Sequence, residues 1–243
     1  MQRRVALITG GTKGIGLAVA KRMAAESFDL ILTYSSDSEL ASEVANDIEQ
    51  EFFSRVWVIR ADASDLDAIE DTVSAITELG VTLDVILFNA GLTSRTPFGD
   101  ISKEDWLRVL NANLNYPVFF LQASLGLLKK GSSILFTGSL MGIHPHSVSL
   151  AYGVSKASVH SLVKNLVKFL EPYKVRVNCV VPGFVDTEWQ KSKPSEIRAS
   201  IESKVAEHRF CDPVELTDAY MLLVNNSYMN GELLVIDGGY SYR

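Results

Sequence analysis

The sequence predicts an α/β fold, a single-domain, doubly wound, seven-stranded parallel sheet with helices on both faces. Three observations carry that expectation. Short runs rich in Val, Ile and Leu recur along the 243 residues, segments with apolar side chains three and four apart separate them, and a glycine-rich turn directly follows the first run. Strands covered by helices on both faces have no solvent side, so they read as nearly continuous apolar runs.

Strands are expected at 5–9, 30–34, 56–61, 85–88, 133–137, 176–181 and 233–236. The helical period marks helices at 15–26, 39–53, 66–79, 103–129 and 151–173. Ser102 ahead of Asp105, and Asp65 ahead of Ile69, read as helix starts, while Gly80 and Gly131 read as stops. The rhythm breaks at 183–210, a long polar segment that follows a strand end. Ligands of doubly wound sheets bind outside the carboxyl ends of the strands, so this segment is placed as a lid over a substrate. A surface excursion without a role is the alternative.

Composition narrows the classes. Hydrophobic residues are 47% and charged residues 21%, near globular averages, which excludes disordered and fibrous chains. The net charge of −6 is spread without a long run of either sign, which argues against general nucleic-acid binding. Cys179 and Cys211 lack zinc or redox spacing and suit a reducing compartment. The opening residues turn from basic to apolar but stop at Thr9-Gly10-Gly11 without a cleavage site. No apolar run approaches the ~18 residues of a membrane helix. A soluble, cytoplasmic protein is expected.

The turn Thr9-Gly10-Gly11-Thr12-Lys13-Gly14-Ile15-Gly16 stands between a strand and a helix, the context in which glycines cradle phosphate. Gly10 allows the tight turn, Gly14 lets a pyrophosphate approach the backbone, and Gly16 permits close helix packing. The helix N-terminus favours negative charge. In such a Rossmann unit an acid after the second strand selects the ribose hydroxyl of NAD. Here Thr33-Tyr34-Ser35-Ser36 stands there, hydroxyls that can donate to a 2′-phosphate, with Lys13 adding positive charge. NADP(H) is the expected cofactor, although Asp37 stands slightly further on and Lys13 could be merely solvated.

Tyr152 and Lys156 lie four apart near a helix start and share one face. A phenol with an ordinary pKa of about 10 is a poor acid at neutral pH, and a nearby ammonium stabilises its phenolate. Ser139 follows the strand at 133–137, where its hydroxyl and that of Tyr152 could hold one carbonyl oxygen. His144 and His146 lack a third ligand, so no metal is expected.

With the glycine loop, these residues resemble the short-chain dehydrogenase/reductase family from Val5 to the last strand. Asp62-Ala63 resembles its adenine-contacting pair, and Asn89-Ala90-Gly91 resembles its NAG motif. Asn113, within Asn111-Ala112-Asn113-Leu114, takes the place of its helix asparagine. Pro182-Gly183 with Thr187 resembles the stretch at the nicotinamide end, to which Val185 belongs, and Asp237-Gly238-Gly239 resembles the ending of the last strand.

The resemblance implies that Tyr152 donates the proton, Ser139 holds the carbonyl, and Lys156 binds ribose and tunes Tyr152. Asn113 would hold a water linking Lys156 to solvent. It also implies a homotetramer packed through the helices at 103–129 and 151–173. The stretch 182–188 and the region of Thr33-Tyr34-Ser35 are most similar to 3-oxoacyl-acyl-carrier-protein reductases, implying a 3-oxoacyl chain on an acyl carrier protein, met by Lys129, Lys130 and Lys174. The stretch 92–98 departs from that subgroup, so a sugar, polyol, steroid or other small ketone stays open. A non-catalytic dinucleotide sensor is disfavoured because Asn113, Ser139, Tyr152 and Lys156 are all present.

Overall fold

The strands form one parallel sheet because each is apolar enough to be covered on both sides. A computed structural model describes residues 3–145 and 148–243. The strands are β1 (Arg4–Ile8), β2 (Phe28–Tyr34), β3 (Val56–Arg60), β4 (Leu83–Phe88), β5 (Leu128–Thr137), β6 (Arg176–Pro182) and β7 (Leu233–Ile236). Their order in the sheet is β3-β2-β1-β4-β5-β6-β7, and every pairing is parallel.

Side chains alternate across this sheet with period two, so one apolar run feeds two cores. Ala6 and Ile8 of β1 face a core with Val19 and Met23 of α1 (Gly14–Ala25), Val44 and Ile48 of α2 (Ser38–Phe52). Val5 and Leu7 face the other core. That core contains Ile76 of α3 (Ile69–Glu78), separated in sequence by α4 (Lys103–Leu110) from Phe120 of α5 (Tyr116–Ala123) and Val163 of α6 (Leu150–Leu170). Two short helices, α7 (Glu188–Lys191) and α8 (Ser195–Glu202), follow β6, and α9 (Thr217–Asn225) joins the first core.

The chain leaves β1 toward β2 on one side and returns on the other as β4. Outside their carboxyl ends this reversal opens a crevice. The glycine turn and Asn89 meet there. Asn89 donates to Thr9 O and Gly10 O at 3.2 Å each, while Thr9 Oγ1 accepts the N–H groups of Asn89 and Ala90 at 2.9 and 3.0 Å.

Three expectations are corrected. The helix expected at 103–129 is α4, a π-helical turn (Asn111–Asn115) and α5, and it ends at Ala123. The buried Ser124 hydroxyl donates to Leu121 O at 3.2 Å, a local bond that competes with further helix. Leu128, Lys129 and Lys130 then belong to β5, and Gly131 (φ +94°) marks an irregularity in that strand rather than a helix stop. Asp65 does not cap α3: its carboxylate accepts the N–H of Asp67 at 3.0 Å in a turn that precedes the helix.

Candidate functional site

The phosphate-type turn and the Ser, Tyr and Lys set open onto one cleft of about 470 Å³ along the carboxyl edge of the sheet. Of the residues singled out in the sequence, Gly10, Thr12, Lys13, Gly14, Ile15, Tyr34, Ser35, Ser36, Asp62 and Ala63 line it. So do Asn89, Ala90, Gly91, Ser139, Tyr152, Lys156, Pro182, Gly183, Val185 and Thr187. Gly16 and Asn113 stand behind its wall. Gly10 (φ +61°) and Gly14 (φ +53°) adopt the left-handed backbone that favours glycine. A Cβ at Gly16 would lie 2.2 Å from Gly10 O, so a side chain there would push α1 off the turn.

At the β2 end, Asp37 also lines the cleft. Its carboxylate caps α2 by accepting the Leu40 N–H at 3.1 Å and pairs with Lys13 Nζ at 3.2 Å. These two contacts, the Leu40 N–H first, lower its pKa. Asp62 holds a turn, accepting from the Ser64 N–H and hydroxyl at 2.8 Å each.

At the other end, Ser149 caps α6 by accepting the Tyr152 N–H at 3.4 Å, which fixes Tyr152 in the first turn and Lys156 one turn on. Burial raises the pKa of the Tyr152 phenol, and the nearby Ser139 side chain opposes that rise. Lys156 Nζ lies 5.7 Å from the Tyr152 ring centre and donates to Thr137 O at 2.7 Å. Burial takes its ammonium out of water and lowers its pKa to about 8.

Asn113 sits in the π turn, a helix irregularity that recurs at functional sites. Its Oδ1 accepts the Leu92 N–H at 2.7 Å, and its Nδ2 donates to Leu92 O at 2.9 Å and Ser155 Oγ at 2.8 Å. It thereby ties the wall of the cleft to α6 beside Lys156.

Sequence reasoning missed Thr137, Arg108, Trp189 and Gln190, all of which line the cleft. Trp189 meets the Tyr152 ring edge to face at 6.1 Å. Trp189 and Gln190 fall inside the expected lid and could have been found from their nearness to Thr187. Nothing local in the sequence marks Arg108 or Thr137, because helix and strand bring them to the cleft through packing.

The basic residues expected to meet a carrier stand elsewhere. Lys129 and Lys130 begin β5, at the sheet edge opposite the cleft and roughly 20 Å of strand from Thr137. Lys174 is beside them, its carbonyl accepting the Gly131 N–H at 2.9 Å. Lys129 is paired with Asp84 at 2.7 Å. His144 Nε2 shares a hydrogen bond with the Ser241 hydroxyl at 2.9 Å, and His146 lies outside the described residues. Among the described residues no helix is long and apolar enough to cross a membrane.

A family model described as enoyl-(acyl carrier protein) reductase matches residues 10–241. The chain is 29% identical to the 3-oxoacyl-[acyl-carrier-protein] reductase FabG of Aquifex aeolicus, with 98% of each protein covered. It is equally 29% identical to the L-rhamnose 1-dehydrogenase (NAD(P)(+)) of Azotobacter vinelandii, over 97% of this chain and 96% of the other. A short chain dehydrogenase from Burkholderia cenocepacia, crystallised in complex with NADP, matches its fold with a TM-score of 0.91 and 30% identity over 98% of both chains. The chain belongs to the short-chain dehydrogenase/reductase family.

Proposed function

We propose that this chain is an NADPH-dependent ketoreductase of the cytoplasm, acting as one catalytic domain. The observation that carries the reading is that Ser139, Tyr152 and Lys156 open together onto the same cleft as the glycine turn, with Lys156 Nζ 5.7 Å from the Tyr152 ring centre. The donor set suits a phosphorylated dinucleotide: left-handed Gly10 and Gly14, the N-terminus of α1, the hydroxyls of Ser35 and Ser36, and the ammonium of Lys13. Asp62 and Ala63 would meet the adenine, and Pro182, Gly183, Val185 and Thr187 the nicotinamide end. NADPH, when bound, supplies the hydride that reaches the carbonyl carbon.

The chain's own residues handle the oxygen and the proton. Ser139 donates to the carbonyl oxygen. Tyr152, kept protonated at neutral pH by burial, gives up its phenolic proton as charge develops there. Lys156, whose pKa is about 8, is an ammonium at pH 7 and stabilises the phenolate left behind. The N-terminus of α6 adds to that stabilisation. Asn113 holds Leu92 and α6 in register around them.

As substrate we favour a 3-oxoacyl chain on an acyl carrier protein, supported by the reductase from Aquifex aeolicus and by the stretch 182–188. Docking through Lys129, Lys130 and Lys174 is no part of this reading, given their place at the opposite edge. The segment 183–210 serves as the lid, with Trp189 against Tyr152. Exposed Leu107 and Phe119 on α4 and α5, with Val154 and Phe169 on α6, suit a homotetramer. The rhamnose dehydrogenase, equal in identity, supports a second reading in which a sugar or polyol is oxidised.

The test is a panel of 3-oxoacyl thioesters, sugars, polyols and steroids with NADPH or NADP. Turnover of thioesters, abolished in Tyr152→Phe with NADPH binding retained, is expected. Turnover confined to sugars or polyols would discard the carrier substrate and keep the oxidoreductase.

A further inference from the structure

Beneath the Ser139 turn lies a histidine that the proton-transfer reading leaves unused. His160 is on α6, one helical turn beyond Lys156, and is 6% exposed. Its Nε2 accepts the Ser139 backbone N–H at 3.4 Å. The ring packs against the turn at both ends because the residues there are glycine. A Cβ at Gly138 would lie 2.6 Å from Nε2, and one at Gly142 would lie 2.7 Å from Cε1. The turn itself is closed by the Gly142 N–H on Ser139 O at 2.9 Å and the Met141 N–H on Ser139 Oγ at 3.2 Å.

An imidazole nitrogen accepts only when it carries no proton. Burial, then the ammoniums of Lys156 and Lys164 on the same helix, push the pKa of His160 down to about 4. From β6 the neighbouring group is the Cys179 thiol, which burial pushes up to about 12 and keeps uncharged. With its proton on Nδ1, the ring has Nε2 fixed as an acceptor.

We propose that His160, by accepting the Ser139 N–H, is a positioning residue that sets where the Ser139 hydroxyl stands against Tyr152. The proposal rests on the reading of that hydroxyl pair as the carbonyl-binding group. Misplacement by about 1 Å can cost up to about 100-fold in rate, so a modest shift of the turn is enough to be measured.

His160→Leu fills the space without an acceptor, whereas His160→Gln offers Oε1 near the place of Nε2. On whichever ketone the enzyme turns over, Leu should lower kcat about tenfold or more, with KM and NADPH affinity changed less than about threefold. Gln should restore most of the rate although both variants lose similar Tm. Equal kcat in the two variants overturns the proposal.

A second measurement needs no turnover and so separates this proposal from the proposed function. The 13Cζ resonance of Tyr152, identified by its loss in Tyr152→Phe, should move in His160→Leu and return in His160→Gln. In 15N-histidine spectra across about pH 5–8, His160 should stay neutral with its proton on Nδ1. A stationary Tyr152 signal in His160→Leu, or a His160 that titrates near about 6.5, sinks it.

Discussion

Asn113→Ala removes three hydrogen bonds from a side chain that is 3% exposed. The bonds are unequal in what they leave behind. Leu92 lines the cleft, so water can replace Asn113 at its N–H and C=O. Ser155 is fully buried and loses a donor, though its own hydroxyl still donates to Tyr152 O at 2.8 Å. Counting about 1 kcal/mol for each bond gives a destabilisation of about 3 kcal/mol. For a chain of this size that lowers Tm by roughly 6–12 °C. The assay is urea unfolding followed by circular dichroism at one fixed protein concentration, with Ser155→Ala and the double variant alongside. The double-mutant cycle should return a coupling of about 1 kcal/mol for the Asn113–Ser155 bond. A loss below about 1 kcal/mol, or zero coupling, would refute the view that Asn113 pins the cleft wall to α6.

Lys13→Ala should weaken NADPH about tenfold in a fluorescence titration while leaving NADH nearly unchanged, since only the 2′-phosphate needs the ammonium. Equal losses for both would show that Lys13 has another role. Acid stability should carry the mark of His160: the unfolded chain takes up its proton near about pH 6.5, and the fold only near about 4. Between those values the unfolded state binds the extra proton, so stability falls as pH drops. Relative to His160→Gln, the loss between pH 6.5 and 4 should be roughly 3 kcal/mol at most, and parallel urea profiles would count against the buried neutral ring. Light scattering should give a tetramer, which Phe119→Glu or Phe169→Glu on the exposed apolar faces should split; a wild-type monomer at micromolar concentration ends that proposal.

The sequence by itself determined the sheet, because each buried strand is a local apolar run and the predicted spans at 30–34, 176–181 and 233–236 fall within or on β2, β6 and β7. It also placed Tyr152 and Lys156 on one face, since helical geometry alone puts residues four apart together. The glycine turn was legible for the same reason: its steric demands are met within a few residues. Periodicity failed between Ser124 and Gly131, where leucines continue in number but the chain changes from helix to strand to pair Leu128 with Leu83. Only the tertiary structure decided that Lys129 and Lys130 start β5 at the far edge of the sheet. It likewise paired Asp37 with Lys13 at the β2 end of the cleft and brought Thr137 O to Lys156, Trp189 to Tyr152 and His160 to the Ser139 N–H. Each of these joins residues from different elements, and such contacts are set by how helices and strands pack, which no pattern along a single stretch of chain encodes.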